Sequence, residues 1–231
     1  MRTLLTCLFV LGMTCVAFAA NCGGGIVCQC GDTVTKPYVL PADLGPCAHD
    51  GLIVMATLDG NKHVVTGMLG RESVGVLIRG VGVKVKNIET AYFERGIEVA
   101  ASGVTVSNFY SRDVGNFVTH VGYGVTITHA AQGVKLLKGR VNYFADEGIH
   151  VGSGAGNIEV REVVFENPTT APGHGEQAYV LNNVGDVNFY NCVFAPGMAI
   201  YAKRTLPDGK KYTINLNAPT VLGPLTFRVR S

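Results

Sequence analysis

The sequence predicts an all-β fold, a right-handed, single-stranded parallel β-helix of about six to seven coils. Two strand families that share one period predict it, together with a composition of 30 glycines and no tryptophan. Such a chain builds short strands and frequent tight turns rather than long helices.

The first family is Val83-Lys84-Val85-Lys86-Asn87, Val104-Thr105-Val106-Ser107-Asn108, Ile158-Glu159-Val160-Arg161-Glu162 and Val187-Asn188-Phe189-Tyr190-Asn191. Strict alternation makes each a half-buried strand. The first two begin 21 residues apart, and a related segment at Val134 precedes Ile158 by 24. The second family follows each of these by about fourteen residues. It comprises Val76-Leu77-Ile78, Ile97-Glu98-Val99, Thr119-His120-Val121, Ile149-His150-Val151, Tyr179-Val180-Leu181 and Ile200-Tyr201-Ala202. Propeller blades need about 40 residues per repeat, and leucine-rich repeats show a leucine and asparagine spacing that is missing here. An up-and-down sandwich is the remaining architectural alternative.

The chain of 231 residues, 47% hydrophobic and 16% charged, is long enough for one substantial core and is not the composition of a disordered protein. Residues 1–19 read as a secretory signal, with an apolar run from Leu4 to Ala20 and a small-residue exit at Ala17-Phe18-Ala19. This predicts a secreted or periplasmic protein with no membrane span once the signal is removed. Losing Arg2 lowers the formal charge from +2 to about +1, and no basic cluster is interleaved with aromatics, so nucleic acid is not an expected partner. Residues 20–51 read as an N-terminal cap and first coil, 52–205 as β-helix coils, and 206–231 as a C-terminal cap covering otherwise unpaired strands.

Cys22, Cys28, Cys30 and Cys47 cluster at the mature N-terminus and suit disulfides in an oxidising compartment. Cys30 with Cys47 is the preferred bridge, worth roughly 3 kcal/mol by loop entropy, although four cysteines leave three connectivities open. Cys192 reads as a small buried hydrophobe. Two stretches break the period: Tyr123 to Gln132, read as one extra short strand, and Asn167 to Gln177, rich in proline and glycine. Asn87, Asn108 and Asn191 share one phase and suit a stacked turn ladder, interrupted by Lys138 and Glu162.

The segment Cys30-Gly31-Asp32-Thr33-Val34-Thr35, followed by Ala42-Asp43-Leu44 and Cys47, resembles the first coil of the pectate-lyase-like right-handed β-helix superfamily, of the carbohydrate-binding and sugar-hydrolase type of repeat. Asp146-Glu147-Gly148-Ile149-His150-Val151-Gly152-Ser153-Gly154 is similar to a later coil. The resemblance spans about residues 28–205 and implies the fold. It implies less about chemistry, because this repeat serves lyases, hydrolases, epimerases, adhesins and a copper-site accessory protein, and no catalytic motif matches residue by residue.

Alternation in the second family turns Glu98, His120, His150 and Tyr201 outward on successive coils. Asp146, Glu147 and His150 are the first choice for catalysis, with Asp113, His120, His174 and Glu176 behind them; Arg95, Glu98, Arg112, Tyr201 and Lys203 are expected to bind substrate. Close carboxylates and a histidine push one another's proton affinities apart, which suits acid-base work on a polysaccharide or cell-surface glycan laid along the coils. The plain structural alternative gives Asp146 a turn, leaves Glu147 solvated and places His150 on an ordinary strand surface. No cofactor is expected, although a divalent cation is compatible with the carboxylates. A metal-handling reading would bring His120, His150 and His174 to one ion. A non-enzymatic surface or adhesive module is the other functional alternative.

Overall fold

Valine and isoleucine at every second position commit these strands to a sheet with one buried side, and a chain that repeats such strands each turn must stack them. The computed structural model describes residues 20–116, 121–128, 130–166, 176–180, 187–195, 198–202, 212–216, 220–222 and 225–227. They form an all-β parallel solenoid, and none of them is helical. Residues 1–19, expected from the sequence to be a secretory signal, lie outside the described residues.

One sheet, the first face, carries the strands Val74–Ile78, Arg95–Val99, Tyr123–Ile127, Glu147–Val151, Glu176–Val180 and Met198–Ala202, paired in parallel in that order. Its inner file runs Val76, Ile97, Val125 and Ile149, and the same register continues through Ala178 and Ile200, each opposite the next. A second file runs Ile78, Val99, Ile127, Val151, Val180, Ala202. From Val76 to Val151 these side chains are completely buried. Each contributes about 1.5–3 kcal/mol of hydrophobic stabilisation.

The second sheet wraps the other sides, because its long strands Lys84–Ala91 and Thr105–Val114 bend in the middle. The bend falls at Asn87 and Asn108, whose φ values of 53° and 51° are left-handed, and Lys138, Glu162 and Asn191 repeat it at 55°, 55° and 52°. Asparagine tolerates this conformation best and also stacks: Asn108 Nδ2 donates to Asn87 Oδ1 at 3.2 Å, and Asn87 Nδ2 donates to Asp59 Oδ1 at 3.0 Å. The bend therefore persists through Lys138 and Glu162 without an amide.

The register corrects three sequence-based expectations. Tyr123–Ile127 is a full rung of the first face rather than an inserted strand, and Thr126, not His120, shares the outward position of Glu98 and His150, while Val125 sits in file with Ile97 and Ile149. The excess residues fall before Tyr123, where Asn116 and Val121 meet in an isolated antiparallel bridge. Farther along, Ala178 and Val180 take the inner register positions, so Tyr179 shares the position of His150 instead of the buried file. Gln177, expected in a loop, lies within a strand that begins at Glu176.

Disulfides join Cys22 to Cys28 and Cys30 to Cys47 at the N-terminal end, and Cys192 is a buried free thiol. At the other end the pairing reverses: Tyr212–Leu216, Thr220–Leu222 and Leu225–Phe227 run antiparallel to Met198–Ala202, Cys192–Phe194 and Val187–Tyr190. Antiparallel strands present a different hydrogen-bond pattern at the stack's last rung, which ends the parallel repeat there.

A candidate acid-base site on the first face

Four of the six first-face strands carry a glycine just before their first inner residue: Gly75-Val76, Gly96-Ile97, Gly124-Val125 and Gly148-Ile149. At Gly124 a Cβ would overlap Val141 Cγ1 and lie 2.7 Å from the Gly148 carbonyl oxygen, and at Gly96 it would strike the Ser111 hydroxyl. Glycine is therefore what lets the strand press against the second sheet at this corner. The residues ahead of the glycines, Arg95, Tyr123 and Glu147, form one register column that continues at Glu176, and Glu98, Thr126 and His150 form the next outer one, whose register continues at Tyr179 and Tyr201.

The two columns meet at Glu147 and His150, three residues apart on one strand. His150 Nδ1 lies 2.7 Å from Glu147 Oε2, and Glu147 is 5% exposed, so it is not the solvated side chain of the structural alternative. A carboxylate at this distance holds the proton on Nδ1 and leaves Nε2 as the basic nitrogen. Burial pushes the His150 imidazole below its ordinary value of 6.5, against the opposing pull of the Asp146 charge. The ring is consequently neutral at neutral pH.

Tyr123, one rung earlier, packs its ring 4.9 Å from the His150 ring at a 44° tilt. Burial, followed by the charges of Asp146, Glu147 and Glu94, pushes the Tyr123 phenol up to about 12. A proton-holding phenol thus stands beside a proton-accepting imidazole. They line a groove of about 420 Å³ with Glu94, Arg95, Val121, Thr126, Thr128 and Gly152. A second hollow of about 580 Å³ adjoins it through Glu94 and Val121 and reaches Arg71 and Glu72.

Several sequence-predicted residues converge here and others do not. Asp146, Glu147 and His150 are gathered, and the backbone places Glu176 directly opposite Glu147 on the next rung. Arg95 pairs with Glu98 through Nη1 and also donates to the Glu72 carbonyl at 3.0 Å, so both charges are already partnered at the groove edge. Arg112 and Asp113 belong to the second sheet, where Arg112 bridges Glu89 and Asp113 at 2.6 Å each. Tyr201 shares the outer register column two rungs beyond His150. His120, His174 and Lys203 lie outside the described residues. Among the described residues no group of three or more His, Cys, Asp or Glu is arranged to hold a metal ion, and no helix is long and apolar enough to cross a membrane.

Tyr123 and Thr126 escaped the sequence reading because their strand was taken as an insertion. The motif Gly-(Val/Ile)-x-(Val/Ile) marks their strand as Gly124-Val125-Thr126-Ile127, alongside Gly96-Ile97-Glu98-Val99 and Gly148-Ile149-His150-Val151, and the spacing between copies separates these from Gly82-Val83-Lys84-Val85 and Gly103-Val104-Thr105-Val106 of the second sheet. Thr119-His120-Val121 lacks its glycine.

No family model matches the chain, and no curated protein matches it. Among solved structures it is similar to the crystal structure of the Agl-KA catalytic domain, at 13% identity and a TM-score of 0.39. The similarity covers 77% of this chain and 44% of that one, so the chain spans less than half of that structure. A likeness at this level carries nothing about the site.

Proposed function

We propose that the chain is an exported β-solenoid of the pectate-lyase-like kind that binds a carbohydrate polymer along its first face and cleaves it by acid-base catalysis. The pairing of Tyr123 with the Glu147-held His150, opening on a groove that runs across the rungs, carries this reading. In an elimination His150 Nε2 takes the proton from the sugar carbon beside the uronate carboxyl, the C–H electrons form the new double bond as the glycosidic C–O bond breaks, and the Tyr123 hydroxyl protonates the departing oxygen. In hydrolysis Nε2 takes the proton of the attacking water instead, and in both Glu147 steadies the imidazolium. Rungs spaced about 4.8 Å apart suit an extended polymer, since each step is near the advance of one sugar unit. The two N-terminal disulfides support an oxidising compartment outside the cytosol.

Uronic-acid and neutral polysaccharides, assayed in parallel for unsaturated products and for new reducing ends, test the proposal. Turnover abolished by His150→Ala and by Tyr123→Phe supports it, and the product type separates elimination from hydrolysis. Binding and turnover absent from every polymer would defeat it. The non-enzymatic adhesive reading draws on the Arg95–Glu98 and Arg112–Asp113 pairs, whose charges engage each other. It expects glycan binding that survives His150→Ala with no turnover before or after.

A further inference from the structure

The corner between the second sheet and the next rung of the first face carries a feature that the acid-base site does not use. Ala91, Arg112 and Asn142 sit opposite one another on three successive rungs, and Phe93, Val114 and Phe144, two residues later, are buried. The intervening residues Tyr92, Asp113 and Tyr143 therefore project outward from one corner. All three are left-handed, with φ of 62°, 51° and 49°. A bulky aromatic rarely adopts this conformation, and two on one corner, 42% and 38% exposed, are strained without burying their rings.

We propose that Tyr92 and Tyr143 form a second carbohydrate platform, separate from the groove, that stacks on alternate rings of a β-1,4-linked glycan. Two rungs separate the tyrosines by about 9.6 Å. A chain with a two-fold repeat presents the same ring face at every second sugar, so both tyrosines meet equivalent faces while the intervening ring lies over Asp113. Asp113 and Arg112, bonded to each other at 2.6 Å, offer an acceptor and donors to its hydroxyls. Arg112 also lies over the Tyr92 ring, 5.8 Å from its centroid, which holds the ring from one side while Tyr92 stays 42% exposed.

Co-sedimentation of the full protein with microcrystalline cellulose and with chitin tests the platform. Binding to at least one polymer is expected, weakened tenfold or more in Tyr92→Ala/Tyr143→Ala and largely restored in Tyr92→Phe/Tyr143→Phe, whose rings still stack. Arg161→Ala, remote from both surfaces, binds as the parent does, and turnover of soluble oligosaccharides measured on the same variants separates failure of the platform, which lowers only binding to the insoluble polymer, from failure of the groove reading. Thermal unfolding of each variant identifies loss through misfolding, and the phenylalanine variant keeps the comparison valid if the alanine variant is unstable. Failure of the parent to bind either polymer overturns the proposal, as does alanine-variant binding equal to the parent's.

Discussion

The first face and the second sheet are built from the same rungs, yet they treat their outward ionisable groups in opposite ways. On the second sheet Arg140 meets Glu166, Lys135 lies 3.8 Å from Glu159, and Arg161 bonds Glu159 while covering Tyr190, all at partly or largely exposed positions. On the first face Glu147 and His150 are largely withdrawn from water and turned toward a phenol. Screening by solvent leaves exposed pairs with little energetic weight, whereas partial burial changes which protonation state a group adopts. A solenoid can thus carry partly buried, coupled groups on one stripe and solvent-screened ion pairs on another over a single core.

The largest expected difference between the faces is catalytic. His150→Ala or Tyr123→Phe should lower turnover of the identified polymer by about 10²–10⁴-fold, whereas Arg161→Ala on the opposite side should leave it within about twofold. Steady-state rates under one set of conditions check both, and equal losses would erase the distinction between faces. A substitution in the shared core should ignore the distinction altogether. Ile149→Ala removes a fully buried side chain from the file and should cost about 2–5 kcal/mol in denaturant unfolding.

Protonation sharpens the contrast at smaller energies. Because the folded His150 titrates below 6.5, the unfolded chain binds a proton that the folded chain refuses as the pH drops past that value. Its contribution to stability is complete above the unfolded value and is lost as the pH falls toward the folded one. Unfolding followed between pH 7 and pH 5 should show this loss, and His150→Gln should flatten the slope. The smallest effect belongs to the exposed pair: Arg140→Ala should change stability by less than about 1 kcal/mol, with the difference shrinking further in high salt.

Much of the architecture was legible because alternation and period are local properties. Ile97, Ile149 and Ile200 fall in one file from their spacing alone, and His150 and Glu98 fall outside it for the same reason. The rung between them was misread, because Thr119-His120-Val121 and Val125-Thr126-Ile127 alternate equally well and only the corner glycine tells them apart. Tyr179 was displaced by one residue, and a slip of one is enough to exchange the two sides of a strand.

The order of residues alone determined the repeat, the identity of the apolar files and the concentration of cysteines at one end, since strand periodicity follows from side chains alternating along the backbone. Only the tertiary structure decided that Tyr123 stands against His150, that Glu147 is withdrawn from water, and that Arg112 with Asp113 belongs to another side. Those outcomes depend on how many residues each corner holds and on which rung pairs with which, quantities established when the coils stack and the strand edges find their partners.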